Sequence, residues 1–394
     1  MKRWLLSNLL IVCAFALKAS APDVYFVNIY PGPSIYELEG HSALIVDYGG
    51  GRTMAYNYGV FDFDSPNFVY RFVKGETDYV LAAYPSEYFF PGYMKQGRRI
   101  VAHRMTLDSL QTTELIQNLN TNALPQNRTY RYNYVKDNCA TRPLQMVENV
   151  LADSIELAPA QFEAQSLLTP TFRNVMRRYH ANYPWYQFGI DLALGSGIDY
   201  PISRREIAFA PAELDGMLAN ATSGGQRIVA ETIVMNDVTE DAAIEGATPW
   251  YLTPMFVCWL VLAIAILISW RDVAKGKLCR SFDAIYFGIS GLAGSIIAFL
   301  VFVSVHEATS PNLILIWLNP LLLLVPILAW IRRASKFLGW FMAIYGGILL
   351  LMMLIWPLQT QSTNAAFFPL MAAAVLRCAV NARFRLTRKS AIGK

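Results

Sequence analysis

The sequence predicts two unlike parts, an α+β domain centred on one cysteine and, after it, an all-α five-helix transmembrane bundle. Three observations predict this. Apolar residues crowd into positions 1–17 and into everything after Tyr251, leaving roughly 230 residues of mixed sequence between, ample for a domain with its own core. That middle stretch alternates short strand-like runs with a few helical patterns. Beyond residue 270, loops rich in Lys and Arg alternate with loops that have none, as in a chain that crosses a bilayer repeatedly. The boundaries expected are 1–21 for an export segment, 22–210 for the thiol domain, 211–250 for a membrane-proximal segment and 251–394 for the membrane domain.

At the start, Lys2 and Arg3 precede an apolar run over 4–17 and Ala-Ser-Ala at 19–21. This is the pattern of a secretory signal or an uncleaved anchor, and either one exports the chain that follows. Spans are expected at 255–270, with Trp250, Tyr251 and Leu252 as an interfacial lead-in, and at 284–304, 313–331, 337–356 and 365–380. Arg271, Lys275, Lys277 and Arg280 mark the first basic loop, and Arg332, Arg333 and Lys336 the second. Arg377, Arg383, Arg385, Arg388 and Lys389 mark the tail. Loops 305–312 and 357–364 carry no Lys or Arg, so the basic side and the C-terminus are cytoplasmic and the thiol domain lies outside. The net charge of +4 is therefore a topology signal and not a nucleic-acid surface. Gly288, Gly291, Gly294, Gly346 and Gly347 predict close helix packing. With no charged residue in the middle of a span, ion or proton transport is disfavoured.

In the exported domain, residues 23–29 alternate as a strand and Pro31-Gly32-Pro33 turns the chain. His41 opens a second strand, Gly49-Gly50-Gly51 forms a turn, and residues 53–60 return as the hairpin partner. Such a hairpin can set Asn57 or Tyr58 beside His41. Short apolar-aromatic elements at 67–73 and 79–84 flank Gly75, and residues 99–104 form a strand. Thr106 or Asp108 caps a helix running to Asn120. Asp137 and Asn138 are capping types before a helix with Leu144, Val147, Val150 and Leu151 on one face, so that helix starts near Cys139; Pro143 suits its first turn. The run 185–199, rich in Gly and Asp, reads as an ordered loop. Residues 212–249 read as a small helix and a hairpin leading to the membrane.

Five cysteines, at 13, 139, 258, 279 and 378, show no metal-ligand spacing. No metal or other cofactor is expected. Cys13 sits in the export segment, and the last three follow Tyr251. Cys139 then stands alone in the exported domain and has no intrachain disulfide partner. An exported thiol is exposed to oxidation, and at a helix N-terminus the dipole favours its thiolate, so Cys139 is the candidate nucleophile. The bland alternative is a small buried hydrophobe.

A thiol nucleophile requires a base. Among His41, His103 and His180, His41 has the best setting, at a strand start behind Gly40. His103 reads as a strand residue and His180 as an ordinary helix-end residue. Asn57 is the preferred orienting group, with Tyr58, Asp47 and Asp137 as competitors. Arg142, one turn past Cys139, suits a phosphate or carboxylate; with Tyr58 and Asp137 it completes a candidate substrate-binding set.

Gly-His-Ser-Ala-Leu-Ile-Val at 40–46, Tyr-Asn-Tyr-Gly-Val-Phe-Asp-Phe at 56–63 and Tyr-Val-Lys-Asp-Asn-Cys-Ala-Thr-Arg at 134–142 resemble the periplasmic domain of the Bacteroidota lipoprotein N-acyltransferases. The run Trp-Tyr-Gln-Phe-Gly-Ile-Asp-Leu-Ala-Leu-Gly at 185–195 is similar too, as is the layout of an exported thiol domain followed by several spans. The resemblance implies a permuted papain-like thiol domain in which His precedes Cys. It implies His41 as base and Cys139 as nucleophile, with acyl transfer from a membrane phospholipid to the α-amine of a diacylated lipoprotein acceptor. A periplasmic thiol peptidase or amidase acting on peptidoglycan and a non-catalytic, membrane-tethered lipoprotein-binding module are the alternatives.

Overall fold

The computed structural model describes residues 22–62 and 64–387; the expected export segment lies outside them. Strands β1 (Asp23–Ile29), β2 (His41–Asp47) and β3 (Thr53–Val60) form where short apolar runs are bounded by turn residues. They are followed by β4 (Asp78–Pro85), β5 (Ile100–Met105), β6 (Thr129–Arg131) and β7 (Val229–Asn236). All pairings are antiparallel, in the order β7-β5-β1-β2-β3-β4-β6. Both faces of the sheet are covered. One, with Val24, Phe26, Leu44, Val46 and Tyr56, packs against helices α2 (Ser109–Asn122) and α3 (Thr141–Glu148). The other, with Val27, Ile29, Ala43, Ile45 and Ala55, is closed by Phe89, Phe90 and Tyr93.

Asp108 caps α2, accepting a hydrogen bond from the Gln111 amide. Between β3 and β4 lies α1 (Phe68–Lys74), a two-turn helix with no buried residue. The sheet includes more of the chain than the pattern suggests. The stretch 212–249, read as a small helix and hairpin, contributes to α6 (Pro211–Ala219), which joins the core, and supplies β7, which forms the sheet edge. Thr222–Ser223 and Gln226–Arg227 do form a hairpin, but it leads into β7 and not to the membrane.

The run 185–199 is also not a loop: most of it is helix α5 (Pro184–Ala193), preceded by α4 (Phe172–Tyr179). Pro184 is at home in a first helical turn, and the helix joins the domain to the bundle. Asp191 accepts from Arg173 and Arg177, both at 2.9 Å, and from the Asn364 amide at 3.0 Å. Asn312 donates to the carbonyls of Leu192 and Ala193, and the Trp185 indole donates to Leu252 at 2.7 Å.

Among the described residues, four helices are long and apolar enough to cross a membrane. Three are α7 (Pro254–Lys275), α8 (Arg280–Phe302) and α10 (Phe367–Leu386), and the fourth contains α9 (Ser335–Ile355). The span expected at 313–331 is broken into Ile314–Trp317, Pro320–Leu323 and Leu324–Leu328. Pro320 and Pro326 lack the amide that a continuous helix needs. The broken segment runs antiparallel to α8 along its glycines. A Cβ on Gly291 would lie 2.8 Å from the Leu323 backbone, one on Gly294 would overlap Asn319, and Gly288 faces Pro326. Arg377 is also corrected: it lies within α10, fully buried, and pairs with Asp272 of α7 and Asp283 of α8 at 2.9 and 2.7 Å. It thus pins three helices together and is not part of a solvated tail.

Candidate functional site

The β2–β3 ladder ends at Leu44–Tyr56, and beyond it the two strands part. In β3 the register to β4 shifts by one residue between Asn57 and Val60, a bulge accommodated by Gly59 at φ +89. Cys139 fills the opening. A Cβ on Gly59 would lie 3.3 Å from the Cys139 Cβ, and the Ser42 amide and the Tyr132 hydroxyl lie within donor reach of the sulfur.

Asn138 holds the loop that delivers the thiol. Its Oδ1 accepts from the amides of Ala140 and Thr141 at 2.9 and 3.0 Å, and its Nδ2 donates to the carbonyls of Tyr134 and Phe209, both at 2.8 Å. This Asx cap starts α3 two residues past Cys139. It also occupies two amides at the helix start, while the Cys139 N–H lies against its own thiol.

His41, the residue before Ser42, bonds through Nε2 to Asn57 Oδ1 at 2.7 Å. Asn57 Nδ2 donates in turn to the Tyr84 hydroxyl at 3.1 Å. With the amide oxygen facing His41, Nε2 carries the proton and Nδ1 is left as the basic nitrogen. Of the two residues the hairpin could offer His41, it therefore presents Asn57. Tyr93 stacks on the His41 ring at 6.0 Å, and the Arg98 guanidinium sits 5.0 Å from the Tyr93 centroid. Arg98 is itself buried, paired with Glu37 at 2.8 Å and bonded to the Tyr30 carbonyl at 2.7 Å.

Burial sets the protonation state of the pair. It pushes the Cys139 thiol up to about 11 against the opposing hydrogen bonds from Ser42 and Tyr132. It also lowers His41 to about 4, with the Arg98 charge adding to the drop. Both groups rest neutral at pH 7, contrary to the dipole-stabilised thiolate expected. Cys139 precedes the first helical turn, and the desolvation of a thiol behind Gly59 outweighs the weak field of an eight-residue helix.

The other expected site residues lie elsewhere. Tyr58 alternates to the opposite face of β3 from Asn57 and bonds Asn122 Oδ1 at 2.8 Å. Asp137 and Arg142 form a two-pronged ion pair at 2.5 and 2.7 Å, and Arg142 also lies 3.7 Å above the Tyr130 ring. These three residues line a separate cavity of about 440 Å³ that reaches neither Cys139 nor His41. His103 and His180 are both buried against carboxylates, Asp215 and Glu39, each at 2.7 Å; His180 stands at the end of α4, as expected, and is buried in the core. Nothing in the sequence singles out Tyr84, Tyr93 or Arg98 as site residues. Tyr84 reaches the site on β4, Tyr93 on the short helix Phe90–Lys95 and Arg98 on the turn before β5, which no local sequence pattern states.

Residues 15–178 match the model of the Lnb N-terminal periplasmic domain, and residues 246–389 match that of the Lnb transmembrane domain. No curated protein and no solved structure matches the chain. Carrying both domains in that order, the chain belongs to the Lnb lipoprotein N-acyltransferase family.

Proposed function

We propose that the protein moves a fatty acyl chain from a phospholipid to the α-amine of diacylglyceryl-cysteine lipoproteins, with Cys139 as nucleophile, His41 as base and Asn57 as the group that orients His41. The observation that carries this reading is Cys139 packed on Gly59 of the strand that also carries Asn57, with Asn57 bonded to His41, in a chain with both Lnb domains. The neutral resting pair suits a concerted start. Cys139 Sγ attacks the ester carbonyl while Nδ1 of His41 takes the thiol proton. The oxyanion is met by the Cys139 N–H, with the fixed charge of Arg98 nearby. Collapse breaks the C–O bond, and His41 returns the proton to the departing lyso-lipid oxygen. The lipoprotein amine then attacks the thioester. An N–C bond forms as the S–C bond breaks, and the proton passes through His41 back to sulfur.

Arg142, Tyr58 and Asp137, which line the separate cavity, play no part in these steps. In this reading residues 22–250 face the periplasm and the C-terminus lies in the cytoplasm, as the alternating basic loops support. Cys139→Ala and His41→Ala are each expected to abolish N-acylation of lipoproteins in cells while the protein accumulates normally in the membrane. Normal triacylation by Cys139→Ala would sink the proposal. Muropeptide cleavage by the purified protein, without transfer to a lipoprotein, would point to the amidase reading instead.

A further inference from the structure

Helix α1 exposes Val69, Tyr70 and Phe72 although it lies inside a folded domain, at 73%, 54% and 48% of their full surface. Its charges are turned away from that face: Arg71 pairs with Asp78 at 3.3 Å and Lys74 with Glu76 at 2.8 Å. What covers the apolar face follows from where the helix is fixed. The Lys74 carbonyl accepts from the Val305 amide at 2.9 Å, the Val73 carbonyl from Ser304 at 2.9 Å, and His306 Nε2 contacts the Phe72 carbonyl at 2.8 Å. Tyr70 meets Phe299 at 6.1 Å. Residues 303–306 continue directly from the C-terminus of the apolar helix α8, where Phe302, Val303 and Val305 are exposed. The apolar face of α1 therefore continues the lipid-facing surface of a spanning helix at the level where that helix ends. Aromatic and aliphatic side chains of this kind partition there.

From α1 an unbroken file of rings leads to the thiol. Phe72 contacts Phe68 at 5.9 Å, Phe68 contacts Phe61 at 5.8 Å, Phe61 contacts Tyr79 at 5.0 Å, and Tyr79 stacks on Tyr132 at 4.1 Å. The Tyr132 hydroxyl lies within donor reach of the Cys139 sulfur. His41, Val60 and Asp78 lie at the same end of the sheet as α1, so the thiol end of the domain faces the bundle. Lys136, three residues before Cys139, also pairs with Glu307 of the bundle loop.

We infer that α1 is a ramp set into the outer leaflet, along which one acyl chain of a bilayer phospholipid passes over Phe68, Phe61 and Tyr79 to the Cys139 thiol. This rests on the acyl-transfer reading above and adds the route of the donor. The test compares full-length wild type with Val69→Asp/Tyr70→Asp in phosphatidylethanolamine vesicles, reading acyl-Cys139 formation by intact mass. The same measurement is made with p-nitrophenyl butyrate, a soluble donor that needs no membrane. The double variant is expected to acylate about tenfold more slowly from vesicles, because two carboxylates oppose insertion, and at the wild-type rate from the soluble ester. Leu110→Asp, equally exposed but on α2, should match wild type with both donors. Equal rates from vesicles would overturn the ramp, as would equal slowing with both donors, or slowing only of transfer to the lipoprotein.

A nitroxide on Val69→Cys, in a Cys139→Ser/Cys279→Ser background in the same vesicles, reads the position of the helix whether or not chemistry follows. Collision with oxygen above that with an aqueous nickel chelate is expected, and the reverse would overturn the ramp. Failure of wild type to form any adduct, with the nitroxide still in lipid, would instead fault the acyl-transfer reading.

Discussion

At the scale of single residues, the site depends on what burial does to two titratable groups. Cys139 is held near 11 and His41 near 4, each by loss of water. Alkylation of Cys139 by iodoacetamide should therefore be slow at pH 7 and rise steadily toward pH 11. A plateau between pH 5 and 8 would reveal a preformed thiolate–imidazolium pair and contradict the neutral resting state. The two groups also link stability to pH. For His41 the folded value lies below the ordinary 6.5, so its contribution is complete above pH 6.5 and is lost as pH falls through about 4. For Cys139 the folded value lies above the ordinary 9.0, so its contribution is complete below pH 9 and is lost as pH rises through about 11. Thermal unfolding should accordingly show Tm falling between pH 6.5 and 4, and His41→Gln should flatten that part of the curve.

At the scale of elements, the parting of β2 and β3 makes the site, and Gly59 keeps it open. At φ +89 a side chain costs about 1–2 kcal/mol, and here its Cβ would also press on Cys139. Gly59→Ala should leave the protein folded and membrane-bound but cut its activity by at least about tenfold, a displacement effect of the size expected for a misplaced nucleophile. Wild-type activity in that variant would show that the bulge does not position the thiol. This part of the molecule is legible in the sequence to an uneven degree. The glycine turn at 49–51 dictates a hairpin, and its register brings Asn57 to His41; Asp137-Asn138 announces the helix behind Cys139. Tyr84, Tyr93 and Arg98 cannot be read in the same way, since no local pattern states that β4 lies beside β3 or that the turn before β5 folds over the sheet. Alternation also misleads at Tyr58, where apolar and polar neighbours on both faces hide which side is the site. At 185–199 the Gly and Asp pattern suggests a loop, and the packing of α5 on the bundle overrides it over most of that run. In the membrane half, hydropathy shows spans but not the break at Pro320 and Pro326. The glycine stripe on α8, visible in the sequence, is what makes room for that broken segment.

At the scale of the whole molecule, two folded parts are fixed to each other by buried polar contacts, centred on Asp191. It is fully buried, as is its partner Arg173, and it also binds Arg177 and Asn364 of the bundle. Removing one member of such a pair leaves the other charged and unpaired. Asp191→Ala is therefore expected to cost about 3–5 kcal/mol, read as a lower Tm and as new proteolytic cleavage between the domain and α7. Unchanged protease resistance would mean that the joint is held by its other contacts alone. The joint matters to the proposed chemistry because α1 and the Lys136–Glu307 contact hold the thiol end of the sheet against the bundle, the side from which the proposal brings the lipid ester. The claim on which all of this depends is that Cys139 takes an acyl group from phospholipid. The intact mass of the full-length protein after incubation in phospholipid vesicles tests it directly. The account predicts a gain of one fatty acid less water, mapping to Cys139, reversed by a diacylated lipopeptide and absent from Cys139→Ala; an unmodified Cys139 in an otherwise active protein would contradict it.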